Sequence, residues 1–316
     1  MNLAVMGCGA VGRAVCELAG SYGHRVTALA DSTSAAVDED GIDSETVLDR
    51  KSEEGVVGSG DREDALAGDY DVLVEATPTT LGDAEPGFSH AKHALARDAH
   101  VVLANKGPVA ERYGDLRAAE RASAGRVLFE ATVGGAIPVL STIADLGSED
   151  VTAVRGVLNG TANFILSRMS AEGLDYEHVL AEAQDLGVAE TDPTFDVEGT
   201  DAALKCVILA NVLGDGGVTL ADAAVEGITR LTPSALDLAS DDGRTVRLVG
   251  EVTDGDSPTV RVGPRLVSEH GTLAVTGTQN IVQLETRHAG QLNLSGRGAG
   301  GRATASAVLA DVGRLP

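Results

Sequence analysis

The chain has 316 residues, of which 43% are apolar and 3% aromatic, with no tryptophan. This length and composition suit one large or two modest globular domains with an aliphatic core, and they exclude a disordered or collagen-like chain. The 48 acidic and 24 basic residues leave a formal net charge of −24, which makes the chain a poor binder of nucleic acid.

The charge balance also predicts adaptation to high salt. A net charge of −24 repels itself in dilute buffer, whereas at molar salt the Debye length shrinks to about 3 Å and the repulsion is largely screened. An ordinary acidic cytosolic protein is the alternative, but it does not explain why so few of the basic residues are lysines. We therefore expect a halophilic source. The four lysines are Lys51, Lys92, Lys106 and Lys205.

The cysteines and the hydropathy pattern exclude further classes of protein. Cys8, Cys16 and Cys206 are odd in number and lack C-x-x-C spacing, so they indicate neither a disulfide framework nor a thiolate zinc site. No apolar run in the sequence approaches the roughly 20 residues that cross a bilayer, and the first residues do not resemble a secretion signal. We expect a soluble, cytoplasmic protein without a membrane partner.

The first half of the chain alternates short apolar runs with segments of helical spacing. The apolar runs, typical of buried parallel strands, are residues 3–6, 26–30, 72–76, 101–104 and 127–131, and the helical segments are 10–19, 88–97 and 109–124. This alternation predicts a doubly wound parallel sheet, a Rossmann-type α/β domain over residues 1–131. Residues 33–60, dense in acidic residues, serine and glycine, are expected to form a mobile surface excursion.

After Ile137 the pattern predicts a second, mixed α+β domain, assigned to residues 132–295. We expect helices at 138–146, 162–170, 175–186 and 201–213, and strands at 151–158, 244–252, 259–267, 273–276 and 281–286. The final segment, 296–316, is glycine-rich and then helical, and we expect it to pack back on the first domain.

A glycine-rich motif between the first strand and the first helix indicates a dinucleotide. Its glycines would let backbone N–H groups approach a pyrophosphate at the helix N-terminus. Asp31, nineteen residues after Gly12, ends the second strand, where its carboxylate would accept the ribose 2′-hydroxyl and repel a 2′-phosphate. Asp31 thus favours NAD over NADP, although Ser32 and Thr33 could still receive a phosphate. The motif comprises Gly7, Cys8, Gly9, Ala10, Val11 and Gly12, and all but Cys8 are predicted to bind NAD or NADP.

Two segments at the ends of the third and fourth long strands, residues 75–79 and 103–108, should face the same crevice. Ligands of an open parallel sheet bind outside the carboxyl ends of its strands. Lys106 lies in the second of these segments. Since the chain otherwise uses arginine, a lysine there indicates chemistry that arginine cannot perform.

The segment from Gly187 to Lys205 concentrates charged residues. Asp201 and Lys205 are four apart on the first turn of an alanine-rich helix and can pair. One ammonium beside the carboxylates of Glu190 and Asp196 suits a small zwitterion with its own amine; a capped helix with a surface ion pair is the structural alternative. A partly desolvated lysine can exchange a proton with a hydroxyl as hydride leaves the same carbon, whereas arginine cannot. These features suggest an alcohol/aldehyde oxidoreductase that needs no metal at the carbonyl.

Taken together, the motifs resemble the homoserine dehydrogenases. That family interconverts L-homoserine and L-aspartate 4-semialdehyde with NAD or NADP, in the biosynthesis of threonine, methionine and isoleucine. The resemblance spans essentially the whole chain and rests on the glycine motif and on residues 104–106, 130–138, 158–163, 190–205 and 296–300.

The resemblance implies roles for individual residues. Lys205 is implied as the proton donor and acceptor, with Asp201 holding the substrate and Glu190 taking its ammonium. Lys106 matches a second lysine near cofactor and substrate. The resemblance further implies contacts of Thr161 with the substrate, of Thr77, Gly187 and Gly298 with the nicotinamide side, and of a structural sodium ion with the backbone carbonyls of Glu130, Val133, Gly135 and Ile137.

The chain departs from the family pattern in two respects. Val188 stands where many members have a tyrosine, which removes one hydrogen-bond donor and bears on substrate affinity. The sequence stops at Pro316 without the regulatory domain or fused aspartate kinase of longer relatives, so we expect no feedback inhibition through such a domain. The family also suggests a homodimer formed through the second domain.

Two alternatives remain at this point. Aspartate-semialdehyde dehydrogenase, a neighbour in the pathway, needs a cysteine nucleophile, and neither Cys8 in the phosphate turn nor Cys206 after Lys205 is well placed for that role. A non-catalytic nucleotide sensor would keep Gly7, Gly9 and Gly12 but would not need the charged groups of the second domain.

Overall fold

The computed structural model describes residues 1–253 and 258–316, which form two compact units. The first unit comprises Met1–Ala136 and Ala299–Pro316, and the second comprises Ile137–Gly298. The chain therefore leaves the first unit after residue 136 and returns to it at residue 299, each within five residues of the boundary expected from the sequence.

The first unit contains a six-stranded sheet of order β3-β2-β1-β4-β5-β6. Its strands are β1 (Asn2–Met6), β2 (Arg25–Ala30), β3 (Ala35–Val37), β4 (Val72–Glu75), β5 (His100–Leu103) and β6 (Val127–Leu128). All neighbouring strands are parallel except β3, which runs antiparallel to β2. The inner strands are buried over most of their length and mainly aliphatic, as the apolar runs predicted, and the Rossmann-type fold is confirmed.

Helices accompany these strands. They are α1 (Ala10–Leu18), α2 (Ser44–Glu54), α3 (Arg62–Ala67), α4 (Gly87–Leu95), α5 (Gly107–Glu111), α6 (Tyr113–Arg121) and α7 (Ala131–Gly134). Among them, α2, α3 and α7 were not predicted. The single helix predicted over 109–124 is wrong, because non-helical backbone at Arg112 (φ −128°, ψ 29°) separates α5 from α6. The strand predicted over 127–131 ends at Leu128, and Ala131 already begins α7.

The expectation of a mobile excursion at residues 33–60 is wrong. This segment contributes β3 to the sheet and contains α2, whose first turn is capped by the side chain of Asp43. Val47, Leu48 and Val57 are buried in the same hydrophobic cluster as the central strands. These apolar residues are few and widely spaced among charged ones, so the sequence shows no periodic pattern that would predict their packing on one side.

The second unit is built on a mixed sheet of order β12-β11-β7-β9-β10-β8. Its elements are α8 (Val139–Leu146), β7 (Val151–Val157), α9 (Gly160–Glu172), α10 (Tyr176–Asp185), α11 (Thr194–Val197), α12 (Thr200–Leu213), β8 (Ala224–Val225), α13 (Pro233–Asp241), β9 (Arg244–Thr253), β10 (Thr259–Ser268), β11 (Gln279–Thr286) and β12 (Gln291–Arg297). Eleven of the fourteen residues of α12 are buried. A helix buried on all sides places any charged side chain it carries in a low-dielectric environment.

Several elements of the second unit differ from the prediction, and the short elements α11 and β8, of four and two residues, were not predicted. Residues 273–276 form the end of a turn and irregular backbone rather than a strand. The backbone there is held by the amide of Asn163 and the guanidinium of Arg247, which both donate to the carbonyl of Val275. Helix α13 and strand β12 were missed. Both are amphipathic over short stretches, and β12 alternates between exposed and half-buried residues without a buried run.

The last helix, α14 (Gly301–Arg314), belongs to the first unit. Ala305, Val308 and Leu309 are buried in the cluster that includes Val5 and Val15. The helix begins at Gly301, after the glycine-rich stretch, whose first residues, 296–297, belong to β12. Among the described helices, none combines the length and apolar character needed to cross a bilayer.

Candidate functional site

The turn from β1 into α1 accepts only glycine at two positions. Gly7 has φ +106°, and a Cβ atom there would lie 2.4 Å from the carbonyl oxygen of Ala76. A Cβ on Gly12 would lie 1.8 Å from the carbonyl oxygen of Gly7. The space beside Gly9, the N-cap of α1, is open: no described atom lies within 4 Å of a Cβ placed there. A tight turn with open space at a helix N-terminus fits a pyrophosphate.

Asp31, at the end of β2, is more heavily engaged than the sequence indicated. Its Oδ1 accepts hydrogen bonds from the backbone N–H and hydroxyl groups of Thr33 and Ser34, at 2.7–3.1 Å. Its Oδ2 accepts one from Nζ of Lys51, at 2.6 Å. Partial burial acts to raise the pKa of Asp31, but the hydrogen bonds from Lys51, Thr33 and Ser34 outweigh it and lower the pKa to about 2. Asp31 is therefore a carboxylate held in place by a lysine.

Sequence reasoning missed Lys51, although it is one of the four lysines. It lies on α2, within the segment expected to be mobile, and the side chain is about one-quarter exposed. The lysine places a positive charge beside the residue predicted to read the ribose. This position bears on the choice between NAD and NADP.

A buried carboxylate joins the segments that follow β4 and β5. Glu75 is completely buried, and its Oε1 accepts hydrogen bonds from both the backbone N–H and the hydroxyl of Thr77. Its Oε2 lies 2.7 Å from Nδ1 of His90, a buried side chain on α4. The side-chain amide of Asn105 donates to Glu75 Oε1 at 3.4 Å and to Thr77 Oγ1 at 3.1 Å. Glu75 thus fixes Thr77, a predicted nicotinamide contact.

The same network extends to Lys106. Asn105 Oδ1 accepts a hydrogen bond from the N–H of Gly107 at 2.9 Å, and the N–H of Lys106 donates to Thr79 Oγ1 at 3.4 Å. Lys106 is half-buried and is the N-cap residue of α5. The structure therefore brings together the two strand ends singled out in the sequence. Asn105, Glu75 and His90 are the residues that join them.

The pair of Asp201 and Lys205 exists and is buried. Lys205 Nζ donates to Asp201 Oδ2 at 2.7 Å and to the carbonyl oxygen of Leu158 at 2.6 Å. The exposed fractions of the two side chains are 6% for Lys205 and 10% for Asp201. Such a pair is costly to desolvate, and the surface ion pair considered as an alternative is excluded.

Asn159 connects Asp201 to a second carboxylate. Its Nδ2 donates to Asp196 Oδ1 at 2.6 Å and to Asp201 Oδ2 at 2.9 Å, while its Oδ1 accepts from the N–H of Ala162 and caps α9. Burial, and then the nearby charge of Asp201, raise the pKa of Asp196. Asn159 stands in one of the family motifs, but nothing in the sequence showed that it spans 42 residues to reach Asp201.

The remaining predicted substrate and nicotinamide residues lie in varied surroundings. Thr161, on the first turn of α9, donates to the carbonyl of Val188 at 3.1 Å. Glu190 is exposed, and its backbone carbonyl accepts a hydrogen bond from Gln184. Gly187 follows the end of α10 and is exposed. Gly298 lies against the side chain of Asn280.

The predicted cation loop surrounds the short helix α7. Glu130, Val133 and Gly135 belong to the first unit and Ile137 to the second. The carbonyl of Glu130 accepts the N–H of Val133 at 3.3 Å, and that of Ile137 accepts the N–H of Val139 at 2.8 Å. Backbone carbonyl oxygens have two lone pairs each and can act as ligands of a cation. Their chemistry fits a hard monovalent ion.

The thiols do not suit nucleophilic catalysis. Burial raises the pKa of Cys206 to about 12 and also raises the pKa of Cys8. A thiol must ionise to attack a carbonyl carbon. The requirement of an aspartate-semialdehyde dehydrogenase for a cysteine nucleophile is therefore not met by either residue.

The fold and these groups define the class of protein. A Rossmann-type unit with a glycine turn and a strand-end carboxylate is typical of proteins that bind NAD or NADP. A buried lysine paired with a carboxylate can exchange a proton with a substrate hydroxyl. The combination is that of an NAD(P)-dependent oxidoreductase.

Comparison with known families identifies the member of this class. Residues 7–130 match the model of the homoserine dehydrogenase NAD-binding domain, and residues 138–312 match that of homoserine dehydrogenase. The chain belongs to the homoserine dehydrogenase family and is an NAD(P)-dependent oxidoreductase acting on homoserine.

Individual relatives agree with this assignment. The chain is 40% identical to homoserine dehydrogenase of Methanocaldococcus jannaschii, over 99% of this chain and 97% of that one. A protein of Archaeoglobus fulgidus described as a homoserine dehydrogenase has a similar structure (TM-score 0.90, 39% identity, 99% and 98% of the two chains). A hyperthermophilic archaeal homoserine dehydrogenase in complex with NADPH is also similar (TM-score 0.86, 27% identity, 99% and 96%).

Proposed function

We propose that the chain interconverts L-homoserine and L-aspartate 4-semialdehyde with Lys205 as the acid/base. The observation that carries this proposal is the buried contact of Lys205 with Asp201 and the Leu158 carbonyl. An ammonium has three N–H donors, and these two acceptors orient two of them. The direction of the third N–H bond is fixed by the other two. This third position is the one through which a proton passes to or from the substrate hydroxyl.

The proton and the hydride balance in the direction of alcohol oxidation. A bound nicotinamide supplies the acceptor for the hydride that leaves the carbinol carbon. Neutral Lys205 accepts the hydroxyl proton, so the C–H and O–H bonds break as the C=O bond forms. Asp201 then stabilises the ammonium that results. In the reverse direction Lys205 returns the proton to the carbonyl oxygen.

Acidic residues of the second unit would hold the substrate amine. Asp196 is hydrogen-bonded to Asn159 and shares it with Asp201, while Glu190 is exposed on the preceding loop. Thr161 would add a hydroxyl at the start of α9. We propose that Asp196, Glu190 and Asp201 take the ammonium and orient the carbon chain toward Lys205.

On the cofactor side, the glycine turn from Gly7 to Gly12 would hold the pyrophosphate. Thr77, fixed by Glu75, and Lys106 would contact the nicotinamide end. Contacts of Gly187 and Gly298 with the nicotinamide, the sodium site, the homodimer and the cytoplasmic location stay predictions from the sequence.

The first test is turnover itself. L-Homoserine with NAD and, separately, with NADP should generate the absorbance of reduced cofactor in buffers from low to molar salt. Folded protein that binds cofactor but shows no turnover at any salt concentration would contradict the proposal and favour the sensor alternative or another amino-acid substrate.

Lys51→Met is expected to change the choice of cofactor. The ammonium of Lys51 would attract the 2′-phosphate that Asp31 alone would repel, so both NAD and NADP can be used. Without it, the ratio of kcat/KM for NADP to that for NAD should fall by about tenfold, or ~1.4 kcal/mol. Steady-state kinetics with both cofactors measures this ratio. Lys92→Met, at an exposed lysine on α4, is the control. If the ratio is unchanged in Lys51→Met, the only role of Lys51 is to hold Asp31 in place.

Stability is expected to depend strongly on salt. With a net charge of −24, the midpoint of thermal unfolding should rise by about 10 °C or more between dilute buffer and molar KCl, at about 2–4 °C per kcal/mol. Circular dichroism would follow the transition. Parallel samples in NaCl at equal ionic strength separate charge screening from a sodium-specific effect on the cation loop. Equal midpoints in dilute and molar KCl would contradict the halophilic proposal.

A further inference from the structure

The carbonyl oxygen of Leu158 accepts two side-chain donors. One is Nζ of Lys205 at 2.6 Å, and the other is Nδ2 of Asn280 at 2.8 Å. Asn280 lies on β11, next to Ile281, which pairs with Val157 at the end of β7. The carbonyl that orients the lysine is thus itself held from the neighbouring strand, 122 residues away in sequence.

The orientation of the Asn280 amide is determined by this contact. Asn280 is only 2% exposed, and within the described part of the chain its Oδ1 is buried without a hydrogen-bond partner. Turning the amide over would place Oδ1 against the carbonyl oxygen of Leu158, two acceptors in contact. The flipped amide would lose this hydrogen bond and bring two acceptors together, so the orientation with Nδ2 on Leu158 is the favoured one, although it leaves Oδ1 unpaired among the described residues.

Gly298 lies directly against this amide. A Cβ on Gly298 would stand 1.9 Å from Nδ2, 2.2 Å from Cγ and 2.9 Å from Cβ of Asn280. The backbone of Gly298 is outside the left-handed region, so its conformation does not require glycine. The requirement is steric, and rotation of a terminal group alone would not relieve it, because the clash extends to Cβ of Asn280.

We propose that Asn280 is a positioning residue for Lys205 and that Gly298 is glycine because it leaves room for Asn280. This inference rests on the proposed role of Lys205. With Asn280 in place, the Leu158 carbonyl is a fixed acceptor, and Lys205 Nζ is held at two points. Without it, the lysine is anchored firmly only at Asp201, and the proton position becomes less defined. Loss of Asn280 should therefore lower kcat and leave cofactor binding unchanged.

A double-mutant cycle tests both halves of the proposal. Asn280→Ala and Gly298→Ala should each lower kcat about tenfold, a fraction of the 10²- to 10⁴-fold available to acid/base catalysis. The KM for NAD(P) should change less than about twofold in Asn280→Ala. The double variant should be no worse than either single variant, because Gly298→Ala acts only by displacing an amide that Asn280→Ala has already removed.

Matched controls separate positioning from folding. Asn293→Ala removes another asparagine amide, on β12, and Gly114→Ala adds a methyl group where no described atom lies within 4 Å. Both should retain the kcat of the unsubstituted protein. Asn280→Asp keeps the size of the side chain but replaces the donor by an acceptor, so it should lose at least as much kcat as Asn280→Ala.

Three results would overturn the proposal. Losses of kcat that multiply in the double variant would show that Gly298→Ala acts on turnover independently of Asn280. Undiminished kcat in Asn280→Ala would remove the positioning role while leaving the proposed function intact. If the unsubstituted protein lacks turnover, the proposed function and the positioning role fail together. The claim that Gly298 leaves room for Asn280 is then tested by thermal unfolding. Gly298→Ala should lower the unfolding midpoint of the unsubstituted protein but should not lower that of the Asn280→Ala variant.

Discussion

Lys205→Ala is expected to lower kcat for homoserine oxidation by about 10²- to 10⁴-fold, because it removes the group that exchanges the hydroxyl proton. Cofactor affinity should be spared, since the glycine turn and Asp31 belong to the other unit. Steady-state kinetics gives kcat, and titration of cofactor fluorescence gives the dissociation constant. Lys205→Arg should be nearly as inactive, because it keeps the charge but cannot release a proton at neutral pH.

The control for this experiment is Lys92→Ala, which removes an exposed lysine from α4. It should behave as the unsubstituted protein. A Lys205→Ala variant with kcat within about threefold of the unsubstituted protein would contradict the acid/base assignment and transfer the role to Lys106. Since truncation of Lys205 leaves Asp201 buried without its ammonium, thermal unfolding should be recorded in parallel.

Glu75→Gln should lower the free energy of unfolding by about 2–4 kcal/mol. The fully buried carboxylate accepts hydrogen bonds from Thr77, Asn105 and His90. Glutamine has nearly the same shape, but its NH2 group would replace one of the two acceptor oxygens. A buried donor would then face another donor, and the hydrogen bond between them would be lost. Urea unfolding measures the change.

Glu63→Gln provides the matched control, because the Glu63 side chain is 68% exposed. Its effect should stay within about 0.5 kcal/mol. A similar small effect for Glu75→Gln would mean that the network adapts to the amide. In that case Thr77 and Lys106 would be positioned by their backbone alone, and the KM for cofactor should also be unchanged.

The sequence predicted the parts of the fold that depend on local pattern. Buried strands such as β1 and β4 each contain a continuous apolar run, and α12 combines alanine and leucine with an i, i+4 ion pair. Residues 33–60 lack both signals, so β3 and α2 could not be seen. Their stability comes from packing of a few apolar side chains on the sheet, which is a property of the assembled unit rather than of the segment.

The site shows the same division. That Asp201 pairs with Lys205 follows from helical spacing, but that Lys205 also binds Leu158, 47 residues earlier, does not. Lys51 reaches Asp31 only because α2 and β2 bury side chains in the same hydrophobic cluster, and His90 reaches Glu75 because α4 packs on β4. Residue types suggested which groups carry charge. The partners that orient these groups come from distant strands, and single-sequence patterns hold no information about them.

The placement of α14 has a consequence for the order of events during synthesis. Its buried residues, including Val308 and Leu309, complete the core around β1 and α1, yet they leave the ribosome some 300 residues after the strand they cover. The second unit is continuous in sequence and can close first. The first unit cannot complete its hydrophobic core until α14 has emerged, and one side of that core stays uncovered before then. Removal of residues 301–316 should therefore destabilise the first unit, most of which is synthesised before the second.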